Sequence, residues 1–171
     1  MLHTASQVGL VVLAAALLIG CTTTPSTERG AVLDRPAERG SSEHSDMLRR
    51  EVVFSALSLI DTGYKFGGSN PEAGVDCSGL VVLVYKMAAG MTLPHNAAQI
   101  ARNSQEVNVR DLKAGDLIFF NTLGRPFSHV GIYLGDDKFI HAPNSRGRVR
   151  VESIKAVYFA KRINGARNIL D

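Results

Sequence analysis

The sequence has little that could staple or clamp a fold. Its 171 residues include two cysteines, Cys21 and Cys77, which excludes a disulfide-rich scaffold and any four-cysteine zinc or iron–sulfur site. It has no tryptophan, and aromatics make up 6%, so the core must come mainly from Val, Leu, Ile, Ala and Phe. The net charge is +3, too small to point to a nucleic acid partner. No apolar run reaches the roughly 20 residues of a membrane-spanning helix, and no internal repeat is visible. What remains is a globular composition, 45% hydrophobic and 20% charged, sized for one domain with a tail.

The longest apolar run is Val8 to Gly20, 13 residues. It fits the apolar region of a secretory signal, about 7–15 residues. It does not read as a buried helix, because it has no polar face and is followed by Thr22-Thr23-Thr24-Pro25. It ends in Leu18-Ile19-Gly20-Cys21, which resembles the lipobox of bacterial lipoproteins. The resemblance implies that Cys21 is lipidated and becomes the new N-terminus. The chain departs from the pattern in residues 1–7, which contain no Lys or Arg. Thr22 in place of Asp after the cysteine resembles an outer-membrane address, so the expected location is the cell envelope, lipid-anchored at the outer membrane and facing the periplasm.

Residues 1–20 are therefore expected to be a signal peptide and 21–45 a flexible tether. The tether is rich in Thr, Ser, Pro and Gly with mixed charges, and has too little to bury to offset its ordering entropy. Residues 22–46 carry three Arg against five acids, whereas residues 47–171 carry 16 basic against 11 acidic residues. The folded part, 46–171, is the basic part, which suits a polyanionic surface and is equally an ordinary basic surface.

Within that domain, Ser45 or Asp46 can cap a helix with apolar positions Leu48, Val52, Ala56, Leu59 and Ile60, ended by Gly63. A glycine-rich loop, Tyr64 to Pro71, follows. Asp76-Cys77-Ser78-Gly79 opens a second helix that Gly90 closes. Pro94 starts a short third helix running to about Arg102. Strands are expected at Leu117–Asn121, His129–Leu134, Lys138–Ala142 and Val149–Ser153, with Gly135-Asp136-Asp137 as a hairpin turn. Helices followed by a run of strands give an α+β order.

Three residues carry chemistry. Cys77 lies at or near a helix N-terminus, where backbone N–H groups and the helix dipole favour a thiolate. His129 begins a strand, and His141 lies on the next one. A turn centred near 135 sets the two roughly opposite and on one face, so one imidazole could orient the other, as in a catalytic triad. Other readings of the same residues are a buried packing cysteine, a Cys21–Cys77 disulfide, and a Cys/His/His zinc site, which would lack the close ligand pairs usual for zinc. His95 reads as a surface or helix-start residue.

Five blocks in order narrow these readings: Tyr64-Lys65-Phe66-Gly67-Gly68, Asp76-Cys77-Ser78-Gly79-Leu80-Val81, Leu112 to Phe120, His129-Val130-Gly131-Ile132-Tyr133-Leu134, and Phe139-Ile140-His141-Ala142. Together they resemble the NlpC family of bacterial cell-wall cysteine peptidases, over about residues 50–160. The resemblance implies a papain-like α+β fold. It also implies Cys77 as nucleophile, His129 as general base and His141 as the residue that orients it. Tyr64 would assist the oxyanion with the Cys77 N–H, and Asp76 and Ser78 would shape the site. The implied substrate is a peptidoglycan stem peptide, cut through a thioester acyl-enzyme with no metal or organic cofactor. The expected partners are that peptide and, through Cys21, a membrane; the chain is expected to be a monomer. A departure is Pro94-His95-Asn96, where relatives often have Arg followed by Ser or Thr. Two further functions share the site: a non-catalytic binding lipoprotein, and a related Cys-dependent amidase or transferase.

Overall fold

The computed structural model of the protein describes residues 36–143 and 147–171. The expected signal peptide, the lipidation site Cys21 and residues 22–35 of the expected tether lie outside the described residues. The elements in chain order are α1 (Pro36–Leu57), β1 (Ser69–Asn70), β2 (Gly74–Val75), α2 (Cys77–Ala89), α3 (Ala97–Arg102), β3 (Gln105–Val107), β4 (Leu117–Phe120), β5 (His129–Gly135), β6 (Lys138–His141), β7 (Arg150–Ser153), α4 (Val157–Ala160) and β8 (Ile163–Asn168).

The first helix corrects two expectations. It begins at Pro36, so residues 36–45, read as tether, are helical. Proline suits the first turn of a helix, where its missing N–H has no intrahelical acceptor to serve. Ser45 lies inside the helix rather than at its cap, and its hydroxyl reaches the Ser41 and Leu170 carbonyls at 3.2 and 3.3 Å. At the other end, α1 stops at Leu57, and Asp61, not Gly63, takes the left-handed conformation. Val52, Ala56 and Leu59 form the buried stripe of this segment. Arg49 locks the helix to the sheet: its guanidinium donates to Asp116 Oδ1 at 2.7 Å, the Ala114 carbonyl at 3.1 Å and Asp171 Oδ2 at 2.9 Å.

Caps set the next two helices. Asp76 caps α2 by accepting from the Gly79 N–H, and Gly90 ends it at φ 65°. Asn96 caps α3 by accepting from the Gln99 N–H, so α3 starts three residues later than its proline suggests. The Asn side chain competes for the first free N–H groups, and that fixes the boundary.

Six strands form one antiparallel sheet in the order β3-β8-β4-β5-β6-β7, with β1 and β2 as a separate hairpin. Alternation along the strands sends side chains to two faces. Leu117, Phe119, Val130, Ile132 and Ile140 join Val52, Ala56, Leu80, Val84 and Ile100 of the helices in one core. Ile118, Phe120, Tyr133 and Phe139 face the other way and meet Ile154 and Phe159. α4 is the short helix that brings Phe159 over this second face. The strands β4 to β7 lie close to where the sequence placed them. The sequence does not mark β3 or β8: Gln-Glu-Val is only three residues long, and Ile-Asn-Gly-Ala-Arg-Asn has little strand propensity. Pairing on both sides, with β3 and with β4, makes β8 a strand.

Candidate active site

Cys77 is the first residue of α2, half-buried, in a cleft of about 670 Å³ that it shares with Tyr64, Asp76, Ser78, His95 and His129. The cleft is built from the loop after α1, the start of α2, the turn before α3 and the start of β5. Asp76, just ahead of Cys77, organises its floor. One carboxylate oxygen accepts from the Gly79 N–H at 2.7 Å, the Ser78 hydroxyl at 3.0 Å and lies 3.0 Å from Nε2 of His95; the other accepts from the Gly67 N–H at 2.8 Å. Burial on its own raises this carboxyl, and the four hydrogen bonds outweigh it and hold Asp76 below its ordinary range. Ser78 is thus a partner of Asp76 rather than a free group.

Gly79 makes this corner possible. A side chain there would collide with the Gly68 carbonyl and lie 2.9 Å from Nε2 of His95. Gly67, at φ 67°, turns its N–H onto Asp76. The glycine loop and the start of α2 are therefore one interlocked unit.

Burial, and then the Asp76 carboxylate, push the Cys77 thiol up to about 11, against backbone N–H contacts from Val130, Ser78 and Cys77 itself. The expectation that the helix N-terminus favours a thiolate is corrected to that extent: desolvation outweighs the backbone donors. Deprotonation then needs a nearby proton acceptor. Burial pulls His129 down from 6.5 to about 4, with Asp76 pulling weakly the other way. It is neutral at neutral pH and free to accept a proton. Burial, then His129 and Arg150, lower His141 as well. Tyr64 lines the cleft, and its phenol is raised by burial and by Cys77 and Asp76 beside it.

His129 Nε2 and His141 Nδ1 are 2.7 Å apart, both rings buried and nearly perpendicular at 88°. The sequence set the two residues opposite each other. The register differs: Ile132 faces Ile140 and the pairing shifts near the turn, so His141 sits beside Gly131, two residues from His129 on the same face. Gly131 leaves the room for this diagonal contact, since a Cβ there would lie 3.3 Å from Cβ of His141 and 2.6 Å from the Phe139 ring. Phe120 flanks His129, while Phe139 and Phe159 flank His141, with centroids 6.2, 4.8 and 5.3 Å away. The two imidazoles bond to each other rather than converging on a common point, and among the described residues no three His, Cys, Asp or Glu side chains gather as metal ligands.

His95 is the residue the sequence undervalued. It does stand at a helix start, one residue before the cap of α3, but it also turns into the cleft and pairs with Asp76. The signal available in the sequence was its position in Pro94-His95-Asn96, where the family resemblance is broken.

Residues 61–168 match the NlpC/P60 family. The murein DD-endopeptidase MepH of Escherichia coli is 37% identical over 117 residues, covering 67% of this chain and 43% of that protein. The murein DD-endopeptidase MepS/murein LD-carboxypeptidase of Escherichia coli is 37% identical over 107 residues, covering 63% of this chain and 55% of that protein. The crystal structure of the NlpC/p60 domain of the peptidoglycan hydrolase SagA superposes with a TM-score of 0.63 at 32% identity, covering 71% of this chain and 98% of that one. The chain spans about half the length, or less, of the curated relatives it matches. The α+β architecture is the papain-like one expected from the sequence. With the family matched over residues 61–168 and the cleft falling inside that span, the chain belongs to the NlpC/P60 family.

Proposed function

We propose that this protein is a cysteine endopeptidase that hydrolyses amide bonds in peptidoglycan stem peptides or crosslinks, and that it works in cell-wall remodelling from a lipid anchor on Cys21 in the envelope. The observation that carries the reading is that His129, which lines the cleft that holds Cys77, pairs behind it with His141 at 2.7 Å. This arrangement supports the reading of Cys77 as nucleophile, His129 as base and His141 as orienter, the order a thiol peptidase needs. The relatives named as murein endopeptidases support the substrate class.

The reaction follows from the residue types. As Sγ of Cys77 attacks the amide carbonyl, its proton passes to Nδ1 of His129, because Nε2 is committed to His141. The carbonyl electrons move onto oxygen, and the Cys77 N–H and the Tyr64 hydroxyl stabilise that oxyanion. Collapse breaks the C–N bond, and His129 delivers its proton to the departing amine. Water, deprotonated by His129, then cleaves the thioester and restores the thiol.

The test is incubation of the full chain with purified peptidoglycan, products read by mass spectrometry. New amine and carboxyl termini on stem peptides are expected from the wild type and absent from Cys77→Ala. His129→Ala should be almost as inactive, because the two residues act as one unit and their losses do not add. Product formation by Cys77→Ala overturns the reading, as does glycan-strand cleavage in place of peptide cleavage.

A further inference from the structure

Behind the histidine pair lies a cavity of about 440 Å³, lined by His141, Arg150, Glu152 and Tyr158 among others. Among the described residues, Nε2 of His141 is the buried side-chain polar atom left without a hydrogen-bond partner. The carboxylate that faces it is Glu152 on β7, with Oε2 at 3.6 Å. Arg150, which pairs across the strands with His141, holds the other Glu152 oxygen through its Nε. Arg150 thereby leaves Oε2 as the oxygen turned to the imidazole.

We propose that Glu152 is a positioning residue for the reaction: it accepts a hydrogen bond from Nε2–H of His141 and so fixes the tautomer of both histidines. The inference rests on the reading of His129 as the base. For Nδ1 of His129 to take a proton from Cys77, its own proton must sit on Nε2. Nε2–H then donates to His141 Nδ1, which must be bare, and the His141 proton falls on Nε2. That nitrogen is buried, and an N–H there without an acceptor is costly. With no acceptor, the cheaper arrangement is the reverse one. His141 then donates from Nδ1 to His129 Nε2, and the His129 proton moves to Nδ1, the nitrogen that has to be empty. Glu152 decides between the two directions of the chain.

The observed 3.6 Å is longer than a hydrogen bond, and an adjustment of under roughly 1 Å closes it. Glu152 has the freedom for that, because its side chain is 24% exposed and borders the cavity.

The test uses the full chain with 15N-labelled histidine. In the wild type at neutral pH, His141 should carry its proton on Nε2 and His129 on Nε2. A proton on Nδ1 of His141 overturns the proposal, whatever the activity. Glu152→Ala should lower kcat on a stem-peptide substrate by about tenfold, the loss expected when about one molecule in ten keeps the competent tautomer. Its KM should stay within about twofold, and the His141 signal should move to the other tautomer. Glu152→Gln, whose amide oxygen still accepts, should keep kcat within about threefold of wild type. Wild-type kcat in Glu152→Ala overturns the proposal, as does an equal loss in both variants with the His141 tautomer unchanged. Cys77→Ala and His129→Ala run beside them. Activity in Cys77→Ala would overturn the peptidase reading itself, whereas inactive Cys77 and His129 variants with a fully active Glu152→Ala overturn the Glu152 inference alone.

Discussion

Asp76 accepts from two backbone N–H groups, one hydroxyl and one imidazole, while capping the helix that carries Cys77. Its two plausible replacements should behave differently. Asp76→Ala removes the cap, worth about 1 kcal/mol on its own, and leaves the part-buried Gly67 N–H and the buried Ser78 hydroxyl to find other partners, so a loss of about 2–3 kcal/mol is expected. Asp76→Asn keeps one acceptor oxygen for the cap and should lose about 1 kcal/mol. Urea midpoints of the two variants measure the difference; equal losses would mean that charge, not the cap, carries the stability. The buried histidines give a second residue-scale outcome. The folded value of His129 is depressed from 6.5 to about 4, so between those values the unfolded chain binds more protons than the native one. Its contribution is full above about pH 6.5 and is lost progressively as the pH falls towards about 4. Melting temperature should decline over that window, and less steeply in His129→Gln. An identical slope in the variant would fail this account.

Two elements hold the cleft against the sheet through single residues. Arg49 ties α1 to the loop before β4 by a buried pair with Asp116, side chains 7% and 3% exposed. Removing the cation strands the carboxylate, so Arg49→Met should cost about 3 kcal/mol, read from denaturant unfolding. A loss below about 1 kcal/mol would show that the Lys113 N–H, which also donates to Asp116, suffices alone. On β5, Gly131 is the gap through which the histidines meet. Gly131→Ala should overpack the sheet by about 1–3 kcal/mol and, by pushing Phe139 and His141 apart from β5, lower kcat more than it raises KM. Unchanged kcat would separate the gap from catalysis. At this scale the sequence was legible where a local chemical rule acts. Asp76 and Gly90 bracket α2, and hydrophobic runs mark β4 to β6. It was not legible where neighbours decide. β8 has no pattern of its own, and α1 extends to Pro36 through residues whose composition reads as tether. The site divides the same way. Cys77, His129 and His141 stand in recognisable blocks. His95 and Glu152 gain their positions from contacts with Asp76 and across β6 and β7, which no local spacing encodes.

At the scale of the whole molecule, the proposed activity is a matter of reach as well as chemistry. The helical start at Pro36 leaves the 14 residues 22–35 between the proposed lipid anchor at Cys21 and the first described helix. Even fully extended, they span at most about 50 Å. An enzyme held on a membrane must bring its cleft to a wall layer within that distance plus the length of α1 and the domain. Hydrolysis of soluble stem peptides has no such requirement. Deleting residues 22–35 while keeping Cys21 should therefore leave kcat/KM on a soluble stem peptide within about twofold and sharply reduce cleavage of the wall in intact cells. Cys21→Ala tests the anchor separately: it should release the protein from the membrane fraction and leave activity on the soluble peptide unchanged. Wall cleavage that survives the deletion in full would remove reach as the role of this segment. Loss of activity on the soluble peptide would instead place the segment within the folding or catalysis of the domain, and membrane retention of Cys21→Ala would remove the lipid anchor.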